Sequence, residues 1–411
     1  MKIQTCRFCD EQLNQVFIDL GESPLSNSFI KPEMITEEER FYPLCTFVCS
    51  KCFLVQLGEF ESPDKIFRDY AYFSSFSETW LEHARKYVEM MFMKYNFNEK
   101  SKIIEIASND GYLLKNFKAR KASVLGIEPA INVAKVAEEN GIPTITEFFG
   151  TDLAKKLVNE KNQADLLIGN NVLAHVPDLN DFIKGIKIVL KPKGIVTLEF
   201  PHLLQLIKNN QFDTIYHEHF SYFSLLTAEK IFSHHGLIIF DVEELATHGG
   251  SLRIYVKHKE NKSISISNNV KYLINKEEEF GLSKISTYSQ FQVKIEKLKE
   301  NICSFFINAK KQNKKIVCYG APAKGNTLLN YCKIGTDFIN YTVDRSTHKQ
   351  GLYLPGTHIS IKNPENILET KPDYVVILPW NLKEEIISQI SYIRKWGGKL
   401  VTLIPEVNVY S

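Results

Sequence analysis

Lys102-Ile103-Ile104-Glu105-Ile106-Ala107-Ser108-Asn109-Asp110-Gly111 decides the fold: an apolar run, a turn of small residues, then a helical segment. Such a run reads as a strand buried in a sheet. Three more follow, Ser123-Val124-Leu125-Gly126-Ile127, Asp165-Leu166-Leu167-Ile168 and Gly194-Ile195-Val196-Thr197-Leu198, with helical segments between them. Alternating strands and helices imply a mostly parallel sheet covered on both faces. A second alternating region opens at Lys315-Ile316-Val317-Cys318-Tyr319-Gly320. It continues through Tyr341-Thr342-Val343-Asp344, Tyr374-Val375-Val376-Ile377-Leu378 and Lys399-Leu400-Val401-Thr402-Leu403. Between the two regions Phe291, Ile295, Leu298, Ile302 and Phe305 step by four and three, which predicts a long amphipathic helix connecting domains.

Upstream, Trp80, His83, Tyr87 and Met91 recur on one helical face, and the stretch before them is turn-rich. Five of the eight cysteines lie there, which fits metal ligation better than an oxidised framework. Cys6-Arg7-Phe8-Cys9 and Cys49-Ser50-Lys51-Cys52 are two Cys-x2-Cys knuckles, and Cys45 sits outside their spacing. Four such thiolates close a tetrahedral zinc site that holds a fold and leaves no open position for chemistry. The chain therefore reads as α/β in three units. These are a zinc-binding N-terminal domain over residues 1–68, a central Rossmann-like domain over 69–285, and a smaller Rossmann-like α/β domain over 286–411.

Bulk properties agree. At about 150 residues per domain, 411 residues make two or three domains. With 44% hydrophobic and 24% charged residues, 15 Pro and 20 Gly, a disordered or collagen-like chain is excluded. Fifty Lys+Arg against 48 Asp+Glu leave +2, so no global field recruits nucleic acid or an anionic membrane. The opening Met1-Lys2-Ile3-Gln4-Thr5-Cys6 carries no apolar signal region, and no apolar run is long enough to span a bilayer. A cytoplasmic protein is expected.

Five segments are candidates for chemistry. The turn Glu105 to Gly111 lets a ligand approach backbone N–H groups, and Glu128, seventeen residues past Gly111, is positioned to accept from ribose hydroxyls. The turn lacks the G-x-G-x-x-G of a dinucleotide binder, which suggests an adenosyl ligand without phosphates, S-adenosylmethionine. Asn170-Asn171-Val172-Leu173-Ala174-His175 ends the next strand, where ligands of open α/β sheets sit. Asp213-Thr214-Ile215-Tyr216-His217-Glu218-His219-Phe220 packs a phenol, two imidazoles and a carboxylate together, groups suited to proton transfer near neutral pH. His217 and His219 are two apart and would point the same way in an extended segment, so spacing does not choose between them. The glycine-rich Gly320-Ala321-Pro322-Ala323-Lys324-Gly325-Asn326-Thr327 could hold a phosphate through backbone donors and Lys324. A second glycine-rich segment is His248-Gly249-Gly250-Ser251-Leu252-Arg253. The plain alternatives are an ordinary turn for the Glu105 and Gly320 segments, a structural histidine for His175 and a solvated polar turn for Asp213 to Phe220.

In that order, and with Pro24-Leu25-Ser26-Asn27-Ser28-Phe29, Tyr70-Ala71-Tyr72-Phe73-Ser74-Ser75, Pro355-Gly356-Thr357-His358-Ile359 and Leu378-Pro379-Trp380-Asn381, the chain resembles a known family nearly end to end. The family is the nucleotide-sugar C-methyltransferases acting on keto-deoxysugars. Cys45 and Pro379 depart from its pattern. The resemblance implies a class I methyltransferase fold for the central domain and a C-terminal domain that helps hold a nucleotide-linked sugar. It implies His219 as base, with Tyr216, Glu218, His175 and Tyr70 in the same active site. Cofactor contacts are expected at Tyr72, Ser75, Glu105, Ala107, Asn109, Gly111, Tyr112, Leu113, Glu128, Pro129, Asn170 and Asn171. Substrate contacts are expected at Asn171, His175, Lys324, Asn326, Asp344, Arg345 and Lys349, and zinc ligands at Cys6, Cys9, Cys49 and Cys52.

The chemistry expected is carbon methylation. His219 abstracts a proton beside a keto group, and the enolate carbon attacks the cofactor's methyl while nearby polar groups stabilise the oxyanion. Partners are the nucleotide-linked keto-sugar, no nucleic acid and no membrane, in a monomer or small homo-oligomer. The alternatives are an O- or N-methyltransferase on the same cofactor domain and a non-catalytic zinc-knuckle binding module.

Overall fold

The computed structural model describes residues 5–62, 74–76 and 78–411; Tyr70 and Tyr72, both expected at the site, lie outside the described residues. The strand Lys102–Ile106 is buried on both faces and pairs in parallel with Ser123–Ile127 on one side and Ala164–Asn170 on the other. Around it stands a seven-stranded sheet. Its order is Leu237–Leu245, Ser251–His258, Leu190–Pro201, Ala164–Asn170, Lys102–Ile106, Ser123–Ile127 and Thr144–Ile145. Numbered along the chain, the first five strands pair in parallel in the order 3-2-1-4-5, and Ser251–His258 runs antiparallel to both its neighbours, so Leu237–Leu245 at the edge runs the same way as the five. The order reverses between Lys102–Ile106 and Ala164–Asn170, and an open sheet of this kind leaves a ligand crevice outside the carboxyl ends at that point.

The second alternating region forms a six-stranded sheet with the same device. Its strands run Ile361–Lys362, Thr342–Val343, Ile316–Tyr319, Tyr374–Ile377, Lys399–Thr402 and Asn408–Tyr410. The first five are parallel in 3-2-1-4-5 order and the last is antiparallel. Its reversal lies between Ile316–Tyr319 and Tyr374–Ile377, so Gly320 to Lys324 and Leu378 to Leu382 emerge at the crevice. The chain has two Rossmann-like sheets and therefore two such crevices.

The N-terminal stretch differs from the turn-rich expectation: it forms an antiparallel sheet of Gln15–Ser23, Tyr42–Val48, Val55–Leu57 and Ser221–Tyr222. Bulges between Val16 and Ile18 and between Asp19 and Glu22 break the two-residue alternation that would have betrayed the first strand. The last strand comes from the segment following His219, pairing Val55 with Tyr222 and Gln56 with Ser221.

The long helix is Ile285–Lys311, and it buries Phe291, Ile295, Leu298, Ile302 and Phe306; Phe305 is only half-buried, one residue off the expected face. It does more than connect. Phe291 stacks on Phe17 of the N-terminal sheet at 4.8 Å, and the same continuous core takes in Cys318 and Val376 of the C-terminal sheet. No helix among the described residues is long and apolar enough to cross a membrane.

Candidate active site

A cavity of about 720 Å³ opens where the two crevices meet, within the range of small-molecule sites. Its walls come from the turn after Lys102–Ile106, the segment after Ala164–Asn170, the residues Thr214 to His219, and the two loops of the C-terminal sheet.

On the side of the seven-stranded sheet the turn is held in left-handed backbone at Ala107 (φ 55°), Asn109 (φ 50°) and Gly111 (φ 76°). A side chain on Gly111 would meet Ile142 at 2.8 Å, and one on Gly126 would meet Ser108 Oγ at 2.5 Å, so both glycines admit close packing under the turn. Glu128 fastens the turn from the next strand: Oε2 accepts from Asn109 N and Oε1 from Ala130 N, each at 2.9 Å. Ser74 N donates to Asn109 Oδ1 (2.8 Å) and Ser75 N to Asp110 Oδ2 (3.1 Å). Glu105 lies fully buried beneath the turn. Burial, with the Asp110 and Glu128 carboxylates beside it, holds its carboxyl well above the usual range.

These residues fit S-adenosylmethionine. Asn171 Oδ1, on the cavity wall, is buried without a hydrogen-bond partner among the described residues, and behind the wall so are both oxygens of Glu105 and Asp110 Oδ1. An orphaned acceptor on the wall with carboxyl groups behind it suits a ligand that brings positive charge and donors, and an amino-acid ammonium beside a sulfonium does so.

His219 stands opposite. Its Nδ1 lies 2.8 Å from Thr214 O, and a carbonyl only accepts, so Nδ1 carries the proton and Nε2 keeps a lone pair. Its ring lies 4.1 Å from Tyr216 and 4.8 Å from His175, centre to centre. Burial, His175 and the Lys324 and His248 charges push His219 well below 6.5, so it is neutral at pH 7. His175 is likewise pushed down to about 4 by burial.

His217 does not share this place. Residues 217–218 form a turn rather than extended chain, so the two imidazoles diverge, contrary to the expectation of a common direction. His217 Nε2 donates to Pro43 O (3.2 Å) and its ring packs on Tyr42 and Phe60, outside the cavity wall.

The C-terminal sheet supplies the remaining wall. Lys324 Nζ donates to His248 O (3.2 Å) and sits 4.8 Å above the Trp380 ring, whose Nε1 donates to Asp213 Oδ2 (2.6 Å). Burial pushes Asp213 up to about 6, against the pull of Lys324 and Trp380. Asp344 repeats the Glu128 device: Oδ2 accepts from Ala321 N at 2.7 Å, an acid at the end of the second strand fastening the first loop. Lys349 Nζ donates to Ala321 O (2.9 Å).

Of the residues expected at the site, Ala107, Asn109, Tyr112, Glu128, Pro129, Asn170, Asn171, His175, Tyr216, His219, Lys324 and Lys349 line the cavity. Ser75, Glu105, Gly111, Leu113, Glu218, Asn326, Asp344 and Arg345 do not. Glu218 accepts from Asn27 Nδ2 (2.6 Å), and Asn27 does reach the wall. Asn326 Nδ2 donates to Ser26 O, while Arg345 is exposed, 3.7 Å from Glu385.

Sequence reasoning missed His248, Trp80, Phe148 and Phe149 in the wall. His248 sits in left-handed backbone (φ 54°) and its Nε2 lies 3.2 Å from Asn171 Nδ2. The adjoining glycines were its signal; the Phe148-Phe149 pair, in a loop, had none.

Away from the cavity, Cys6, Cys9, Cys49 and Cys52 bring four Sγ atoms within 4.8 Å of one another, with Cys6–Cys52 at 3.6 Å and Cys9–Cys49 at 3.5 Å. A tetrahedron with Zn–S near 2.3 Å has edges of about 3.8 Å, so the four sulfurs fit zinc. Cys45 stands apart from the cluster.

Residues 6–67 match the family described as "Putative zinc binding domain", 80–241 "Methyltransferase domain", and 246–405 "C-methyltransferase C-terminal domain". A C-methyltransferase, NovU of Streptomyces niveus, is 32% identical over 409 residues, covering 100% of this chain and 97% of that protein. A ubiquinone biosynthesis O-methyltransferase of Bartonella tribocorum is 32% identical over 99 residues, 23% of this chain and 39% of that one. Among solved structures, magnesium protoporphyrin IX methyltransferase of Synechocystis is 13% identical, over 43% of this chain and 78% of that chain, with a TM-score of 0.33. Similar along its whole length to NovU, the chain belongs to the C-methyltransferase family and is an S-adenosylmethionine-dependent methyltransferase with a zinc-binding cysteine cluster.

Proposed function

We propose that the protein methylates the carbon beside the keto group of a nucleotide-linked deoxysugar, by way of an enolate. The observation that carries this reading is His219: a buried, neutral imidazole facing the cavity, its tautomer fixed by Thr214 O so that Nε2 is the proton acceptor. A carbon nucleophile needs such a base, because its C–H bond must be broken before it can attack.

S-adenosylmethionine supplies an electrophilic methyl group when bound. The chain does the rest. The Glu105–Gly111 turn, with Glu128 and Asn171, holds the cofactor, while the C-terminal loops with Lys349 and Asp344 hold the nucleotide end of the sugar. Tyr216 and His175 flank the base and keep its ring in place. General-base positioning of this kind contributes about 10²–10⁴-fold. On this reading residues 1–68, 69–285 and 286–411 act as zinc, cofactor and sugar-nucleotide domains, and a nucleotide-linked sugar is a cytoplasmic metabolite. Incubation with labelled S-adenosylmethionine and a panel of nucleotide-linked 4-keto sugars tests it. A product bearing the label on carbon is expected; label on oxygen or nitrogen, or on no sugar, defeats the reading.

A further inference from the structure

Two lysines are the only cationic side chains in the cavity wall among the described residues, and they are mounted differently. Lys349 is fastened to the first loop of the C-terminal sheet: its ammonium bonds Ala321 O, lies over the Phe29 ring at 5.0 Å, and faces Asp344 and Glu218. Lys324 crosses to the methyltransferase side, where its ammonium bonds the carbonyl of His248. Its charge reaches both His248 and His219.

The mounting is elaborate for a phosphate holder. Trp380 carries the ammonium on its face and lies so close against the chain at Gly249 that a side chain there would stand 2.4 Å from the ring. The indole N–H is tied to Asp213, and Gln211 Nε2 bonds Gly249 O at 2.7 Å. Asp213 belongs to the three-residue helix Phe212–Thr214, whose last carbonyl also fixes His219. One short element thus sets both the base and the support of the cation. A cation beside a base weakens it in the resting state. The arrangement becomes useful if negative charge develops next to that cation as the base takes its proton.

Resting on the carbon-methylation reading above, we propose that Lys324 is the oxyanion-binding group of the deprotonation step, donating to the substrate's keto oxygen opposite His219. One of its three N–H donors goes to His248, which leaves others for the cavity. As the C–H bond breaks, its proton goes to His219 Nε2 and its electron pair becomes the C=C bond. The carbonyl π pair moves onto oxygen, where the Lys324 ammonium holds it without giving up its proton. When the carbon takes the methyl group, the pair returns and the C=O bond re-forms. Lys349, and not Lys324, is then left to the nucleotide phosphates.

The test uses solvent-deuterium exchange of the sugar's α-proton without cofactor, alongside kcat, KM and S-adenosylmethionine affinity. Lys324→Met is expected to lose about 10²–10³-fold in both exchange and kcat, with KM and cofactor affinity close to wild type. Lys349→Met should do the reverse, raising KM for the nucleotide sugar with exchange at saturation retained. Lys324→Ala should recover exchange on addition of ethylammonium, which a merely structural lysine would not allow. The proposal is overturned if Lys324→Met raises KM and keeps its exchange rate. It is equally overturned if Lys324→Ala binds cofactor normally but ethylammonium restores nothing. Wild-type protein that neither exchanges the proton nor methylates carbon would remove the underlying reading and this proposal together, whereas normal wild-type exchange with an unaffected Lys324→Met removes the proposal alone.

Discussion

Replacing Glu199 by Gln should loosen the wall of the site without touching its chemistry. Glu199 is fully buried at the end of Leu190–Pro201 and is held by three partners from three elements. Arg253 Nη2 donates at 3.0 Å from the neighbouring strand, His83 Nε2 sits 2.9 Å away on the helix Glu78–Tyr95, and Thr247 Oγ1 donates at 2.8 Å from the His248 segment. Burial alone would raise its carboxyl, but His83, Arg253 and Thr247 outweigh it and hold it below the ordinary 4.5. Glu199→Gln keeps the shape and removes the charge, leaving Arg253, 5% exposed, with Glu243 at 3.0 Å as its remaining carboxylate partner and His83 Nε2 at 3.0 Å beside it. Breaking a buried pair costs about 3–5 kcal/mol. Because Glu243 stays, the lower end applies, about 3 kcal/mol or roughly a hundredfold in the local opening equilibrium. Native-state hydrogen exchange of the amides in Ser251–His258 measures it directly. The sign with pH follows from the lowered carboxyl: the stabilisation is present above pH 4.5 and is lost as pH falls through the folded value. The gap between variant and wild type should therefore close in acid. A variant whose strand opens within about 1 kcal/mol of wild type at pH 7, or whose deficit persists unchanged in acid, would refute this account of the network.

Cys6→Ser should lose metal and stability together, since the energy of a closed zinc site is folding energy; metal analysis should find about one zinc per chain in the native protein. Glu128→Ala removes the acceptor that fastens Asn109 and Ala130 N–H, and calorimetry should show S-adenosylmethionine binding weakened roughly tenfold or more. Unchanged affinity would place the cofactor elsewhere. The exchange rate of the wild-type protein should be flat from pH 8 down to pH 6.5 and fall only below it. His219 is held low by burial, by His175, and by the Lys324 and His248 charges, with the Thr214 carbonyl opposing them, and only protonation of Nε2 disables it. Half-loss above pH 6.5 would show a different titrating base.

Much of the architecture was legible because the parallel strands are buried on both faces. Val375 to Leu378 is a continuous apolar run and Ile103 to Ile106 one broken only by Glu105, and turn chemistry brackets both at their ends. The N-terminal sheet was not legible, since bulges at Val16 and Asp19 scramble its alternation and its last strand arrives from Ser221–Tyr222, far along the chain. At the site, side chains projecting from strand ends, such as Glu128 and Asn171, could be placed from spacing. His217 and His219 could not be separated that way, because a turn at 217–218 rotates one of them towards Pro43. Phe148 reaches the cavity from a loop without a local pattern, while the helical face of Trp80 and the glycines beside His248 do not say which site they meet.

The central claim is that His219 takes a proton from carbon, and one measurement meets it directly. A nucleotide-linked 4-keto sugar is incubated in deuterium oxide without S-adenosylmethionine, with wild-type protein and with His219→Asn, His217→Asn and His175→Asn, and its α-position is followed by NMR. The account predicts exchange by wild type and by His217→Asn, and none by His219→Asn, whose cofactor affinity stays near wild type. Exchange that survives in His219→Asn but stops in His217→Asn or His175→Asn would contradict it.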